Sequence, residues 1–153
     1  MEFNSVDEIL TFATDREKEA VEFYTMLAKE ATKASLKEIF ESFVKEEEKH
    51  VAMLSNIEGN KEKIDSYELR EITDIKISDY MVETEYKEGM PMPEILKLAM
   101  KKEEAAVKFY SDLAAKTDNE DANKLFRILV QEEAKHKFGL ESMYDDYLSD
   151  QDN

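Results

Sequence analysis

The chain carries only two histidines, and each stands three residues after a glutamate, as Glu47-x-x-His50 and Glu133-x-x-His136. The two motifs lie 86 residues apart, and the same offset carries Glu17 onto Glu103 and Tyr24 onto Tyr110. Residues three apart share a face on a helix, so each motif calls for one. A motif repeated at a fixed offset calls for the same helical unit built twice. With 25 glutamates among 153 residues, chance would place one three positions before both histidines only a few per cent of the time. The pattern is most simply that of a two-metal carboxylate site.

The repeat extends well beyond the motifs. Across residues 7–58 and 93–144 the offset pairs Ile9/Ile95, Leu10/Leu96, Ala13/Ala99, Val21/Val107, Phe23/Phe109, Leu27/Leu113, Phe40/Phe126, Val44/Val130 and Leu54/Leu140. These are duplicated helical hairpins, because coiled-coil repeats have much shorter periods. Apolar residues recur at helical spacing over four stretches, predicting helices at about 5–31, 34–58, 92–117 and 118–146. Ser5-x-x-Glu8 and Ser35-x-x-Glu38 read as capping boxes, Pro93 suits a first turn, and Asp118 or Asn119 can cap the last helix. Gly59 is placed to end the second helix in a left-handed conformation, and the polar tail after Asp145 is expected to fray. Within the 59–91 connection, Ile75-Lys76-Ile77 can be extended and Ser78–Val82 can start a short helix. Antiparallel neighbours usually need about 2–8 linking residues. So long a connection predicts a crossover that makes the second and third helices parallel.

Composition narrows the class. Three glycines and two prolines leave little punctuation, which favours one all-helical domain over residues 1–153. A formal charge of −16 repels phosphates, arguing against nucleic acid and anionic membrane surfaces as partners. No apolar run reaches membrane-span length, and the acidic start Met1–Asp7 lacks a signal-peptide pattern. The absence of cysteine excludes disulfides, thiolate-bound iron–sulfur centres and Cys-type zinc sites, and makes the cytoplasm the default location.

Glu17 and Glu47 each lie about 15 residues from a turn near residue 32, which at about 1.5 Å per residue sets them level on neighbouring helices. Glu103 and Glu133 repeat this about a turn near residue 118. The set is one glutamate from each of two helices and Glu-x-x-His from each of the other two, the recurrent dimetal pattern of helix bundles. Glu17, Glu47, His50, Glu103, Glu133 and His136 are therefore the candidate ligands, with no catalytic residue beyond them. Two divalent ions would balance the four carboxylates. Tyr24 and Tyr110, two turns beyond Glu17 and Glu103, either hydrogen-bond a ligand carboxylate or are core aromatics. Glu19, Glu46, Glu48, Glu104 and Glu132 read as solvated helix-face charges.

These residues resemble the ferritin-like superfamily, and specifically the rubrerythrin-type domain, through Glu17-x6-Tyr24, Glu47-x-x-His50, Glu103-x6-Tyr110 and Glu133-x-x-His136. The resemblance covers nearly the whole chain outside residues 59–92. It implies an all-α four-helix bundle with a long crossover, holding a non-haem di-iron centre that reacts with peroxide or dioxygen. Rubrerythrin peroxidases also carry a four-cysteine rubredoxin domain, and this sequence has no cysteine. An external donor such as a rubredoxin or flavoprotein is therefore implied. The extra carboxylate of those enzymes would stand near Met100 or Ala106, where this chain has none. The nitrogen and oxygen donors also suit manganese or zinc. Many relatives are dimers, so a homodimer is expected. Ferroxidase or iron-handling work, oxygenation of an organic substrate, and a non-catalytic metal-binding interaction module are the alternatives.

Overall fold

The computed structural model describes residues 5–67, 69, 72, 78 and 85–151. Every regular element among them is a helix: α1 (Val6–Glu30), α2 (Ala34–Ser55), α3 (Lys61–Ser66), α4 (Met92–Lys116) and α5 (Glu120–Gln151), with a 3-10 turn at Glu58–Asn60. None of them is long and apolar enough to cross a membrane. The chain divides into two compact units, Met1–Tyr67 with Thr117–Leu125, and Glu68–Lys116 with Phe126–Asn153.

In the first unit α1 and α2 form a helical hairpin joined through residues 31–33. Ser5 opens α1 by accepting a hydrogen bond from the Glu8 N–H at 3.2 Å. The helix stops where Ala31 turns extended, its N–H still donating to the Leu27 carbonyl at 2.9 Å. The buried residues of α2 are Phe40, Phe43, Glu47, His50 and Leu54, an alternating spacing of three and four that draws one stripe down the helix. Tyr24 stacks on Phe40 with ring centroids 6.2 Å apart and meets Phe43 edge-on at 5.2 Å. His50 faces Glu17. Later residues of α2 thus meet earlier residues of α1, and the pair is antiparallel.

The second unit repeats this construction between α4 and α5. Tyr110 stacks on Phe126, again at 6.2 Å, and the interplanar angle of 21° matches the 20° of Tyr24 on Phe40. His136 faces Glu103, and Lys97 lies over the Tyr144 ring at 5.8 Å, so this hairpin is antiparallel as well. Phe126, Leu129, Glu133, His136 and Leu140 are all buried, each 86 positions beyond its counterpart in the α2 stripe. The duplication legible in the sequence is a duplication of side-chain geometry.

Several boundaries differ from expectation. Helix α2 ends at Ser55, short of 58, and Gly59 lies within the 3-10 turn that follows. Its N–H donates to the Asn56 side-chain oxygen at 3.3 Å, so Asn56 rather than a left-handed glycine ends the helix. The left-handed glycine is Gly89, at φ 81°, in a turn closed by the Met90 N–H donating to the Lys87 carbonyl at 3.1 Å. The expected Ser35 capping box is absent, because the cap position falls two residues earlier, at Lys33, with no side-chain cap. Asn119, not Asp118, caps α5 by accepting from the Ala122 N–H at 2.9 Å. Helix α5 continues to Gln151 instead of ending near 146. The connection after α2 is partly helical, since α3 buries Ile64 completely. Residues 75–77 and 79–82 lie outside the described residues, while Ser78 is buried in a 3-10 conformation.

The caps separate by stability. Asn119→Ala is expected to lower unfolding stability by about 1 kcal/mol, whereas Ser35→Ala, at an exposed non-capping position, stays within about 0.5 kcal/mol of the parent. Urea denaturation followed by circular dichroism measures both, and equal losses would overturn the cap assignment.

Candidate metal centre

In the first unit, α1 supplies Glu17 and α2 supplies Glu47 and His50. His50 Nδ1 lies 3.7 Å from Glu17 Oε2 and 3.6 Å from Glu47 Oε2. In the second unit, α4 supplies Glu103 and α5 supplies Glu133 and His136. His136 Nδ1 lies 3.5 Å from Glu103 Oε1 and 3.7 Å from Glu133 Oε2. All six residues predicted from the motifs therefore sit in one of two Glu/Glu/His trios, one per hairpin. Within each trio the facing nitrogen and carboxylate oxygens fall within 4.8 Å of one another.

These trios are deeply buried. Glu17, Glu47 and His50 are 3 %, 0 % and 4 % exposed, and Glu103, Glu133 and His136 are 3 %, 2 % and 1 % exposed. Carboxylates at that depth lose their hydration and need a compensating positive charge. Burial pushes the Glu103 carboxyl well above the usual carboxylate range, and the neighbouring Glu133 pushes it the same way, while His136 opposes both. In each trio the protein sets an imidazole against two carboxylates with no lysine or arginine among them.

Tyr24 and Tyr110 are buried beside the aromatic residues of the neighbouring helix, two turns from Glu17 and Glu103. Glu19 and Glu48 are exposed and Glu46 is half-buried. Glu104 and Glu132 are half-buried, pairing with Lys101 at 3.6 Å and Lys135 at 3.4 Å. Sequence reasoning passed over two buried charged residues of α5, Lys137 and Glu141. Their signal was a break in the repeat, because the first hairpin has Val51 and Ser55 at those positions.

The rubrerythrin family profile matches residues 8–144. The chain belongs to the rubrerythrin family. A hypothetical protein from Pyrococcus furiosus has a similar structure, with 27% identity, 95% of this chain and 92% of that chain covered, and a TM-score of 0.68. CopM in its Cu(I)-bound form covers 94% of this chain and 97% of its own, at 12% identity and a TM-score of 0.63. CopM in a co-crystallised silver-bound form is alike at 13% identity, 92% and 96% coverage and a TM-score of 0.63. The likeness to CopM is one of fold alone. No curated protein matches the chain. The fold of this rubrerythrin-family chain is thus all-α and ferritin-like.

The trios fit a metal ion on their own chemistry. Donors held about 2.1 Å from one ion at angles of 90–120° stand about 3.0–3.6 Å apart, close to the 3.5–3.7 Å separations here. Carboxylate oxygen and imidazole nitrogen suit iron, manganese and zinc alike.

The metal-free rubrerythrin-family chain should show the cost of the crowded carboxylates. A carboxyl whose folded pKa is raised holds its proton longer in the folded state than in the unfolded one, so stability falls as pH climbs from the ordinary carboxylate range toward the raised value. Chelator-treated protein is expected to melt at a higher temperature near pH 5 than near pH 7, and Glu103→Gln to reduce that difference. A pH-independent melting temperature between those values in both proteins would contradict the assignment.

Proposed function

We propose that Glu17, Glu47, His50, Glu103, Glu133 and His136 together hold two iron ions, and that the protein is a non-haem di-iron oxidoreductase reducing peroxide or dioxygen. The observation that carries this reading is the buried Glu/Glu/His trio, built twice with nearly the same geometry in a chain of the rubrerythrin family. Two divalent ions supply four positive charges against four carboxylates, the balance that the buried trios require.

Each histidine would bind one ion. Glu17 and Glu103 would each bind from one helix of a hairpin, and Glu47 and Glu133, each sharing a helix face with its histidine, would bind from the other. Phe43 and Leu54 stand one turn before Glu47 and one turn beyond His50, and Leu129 and Leu140 do the same around Glu133 and His136. Together these four apolar side chains keep bulk water from the ligands. Tyr24 and Tyr110 orient the ligand carboxylates from the same buried face. When bound there, a ferrous pair would supply two electrons at once, the number that takes hydrogen peroxide with two protons to two waters. The electrons come from a redox protein such as a rubredoxin. The same reading makes the protein a cytoplasmic homodimer with no nucleic-acid or membrane partner.

Anaerobic loading with ferrous iron should give about two irons per chain by elemental analysis, and peroxide should then raise an oxo-bridge absorption band. His50→Ala and Glu133→Ala are each expected to lower iron content and the melting temperature of the loaded protein. Unchanged iron stoichiometry in both variants would sink the ligand assignment.

A further inference from the structure

The first hairpin has a cleft of about 520 Å³ between α1 and α2, on the side away from the Tyr24 aromatic cluster. Leu10, Thr14 and Lys18 line it from α1, and Leu54 and Ser55 from α2, with Asn56 just beyond. Thr14 lies three residues before Glu17 and Leu54 four after His50, so this side of the cleft stands about 4.5–6 Å along the helices from the ligands. The space far exceeds the roughly 30 Å³ that a water molecule occupies in the liquid, so it has room for a small solute.

The second hairpin is built differently at the same place. The positions equivalent to Thr14 and Ser55 are Met100 and Glu141, and both are completely buried. Leu96 and Leu140 keep the places of Leu10 and Leu54, while the other lining positions differ, and at Met100 and Glu141 a long buried side chain replaces a short one. The Thr14 hydroxyl donates to the Leu10 carbonyl at 2.7 Å and is therefore satisfied within its own helix. Nothing at that position calls for a bound partner, which marks a passage more than a binding pocket. Asp7 and Asp15 also line the cleft and, with the chain's charge of −16, discourage anions.

We infer that this cleft is the approach by which a small uncharged oxidant of hydrogen peroxide's size reaches the Glu17/Glu47/His50 trio. Thr14 stands at its inner end, and Met100 and Glu141 close the equivalent approach to the other trio. The inference rests on the metal-centre reading, so its test needs one readout that does not. Diethyl pyrocarbonate applied to the full chain before metal loading, with modification read by peptide mass spectrometry, supplies it. His50 is expected to react several-fold faster than His136, and Thr14→Met, which installs the residue of the second hairpin, to remove most of that difference.

In the iron-loaded protein the same variant is expected to slow the second-order reaction with peroxide at least tenfold while binding as much iron as the parent. Thr14→Ala should react at least as fast as the parent. Equal reactivity of the two histidines in the parent, or an unchanged peroxide rate in Thr14→Met, overturns the inference. A Thr14→Ala variant as slow as Thr14→Met overturns it too, because the effect would then come from disturbing the helix. A parent protein that binds iron but ignores peroxide defeats the functional reading, and the histidine comparison still decides the cleft.

Discussion

Four carboxylates withdrawn from water are the constraint on which the rest of this protein depends. Glu17, Glu47, Glu103 and Glu133 are all buried, and no lysine or arginine belongs to either trio. The raised proton affinity of Glu103 expresses the cost within the protein alone, since burial beside a second carboxylate favours the protonated form by more than His136 offsets. A divalent cation relieves the same strain while leaving the carboxylates charged. Metal binding by these trios would therefore draw on the same free energy as folding, and the trio residues are part of what decides whether the hairpins pack well.

The geometry explains how this coupling is built. The stripe on α2 that buries Phe40, Phe43 and Leu54 also carries Glu47 and His50, and the α5 stripe repeats it with Phe126, Leu129, Glu133, His136 and Leu140. The chemistry occupies two rungs of a hydrophobic ladder, and the rungs on either side position it. Tyr24 on Phe40 and Tyr110 on Phe126 fix the register of each antiparallel pair two turns away from the ligands. A slip of one turn in either hairpin would break the stacking and the facing of histidine to glutamate together.

What the sequence disclosed follows from this coincidence of core and site. Helical spacing and the 86-residue repeat were enough to place the four long helices, their two tight turns and all six residues of the trios. The details that escaped are those set by local competition among a few hydrogen bonds. Asn56 ends α2 with its side chain before Gly59 is reached, and Lys33 replaces Ser35 at the start of the same helix. Helix α5 runs past Asp145 because no glycine or proline breaks it between there and Gln151. Lys137 and Glu141 escaped because charge usually marks a solvated face, and only their failure to match Val51 and Ser55 set them apart.

The pattern of matches and mismatches between the two halves separates what the site requires from what tunes it. Ligands, tyrosines and the Phe40/Phe126 and Leu54/Leu140 pairs are kept. The changes at Thr14/Met100, Val51/Lys137 and Ser55/Glu141 all fall within two turns of a ligand, on the side of the hairpin away from the tyrosines. Beyond His50 the helix offers a neutral Val51 and an exposed Ser55, whereas beyond His136 it buries an ammonium and a carboxylate. Two ions held by the same ligand types would then sit in different fields, and the ion in the first hairpin would be the one beside the cleft. A two-electron reaction needs both ions to supply charge but only one to receive the oxidant. Duplication supplies the matched trios, and divergence at these three positions makes their surroundings unequal.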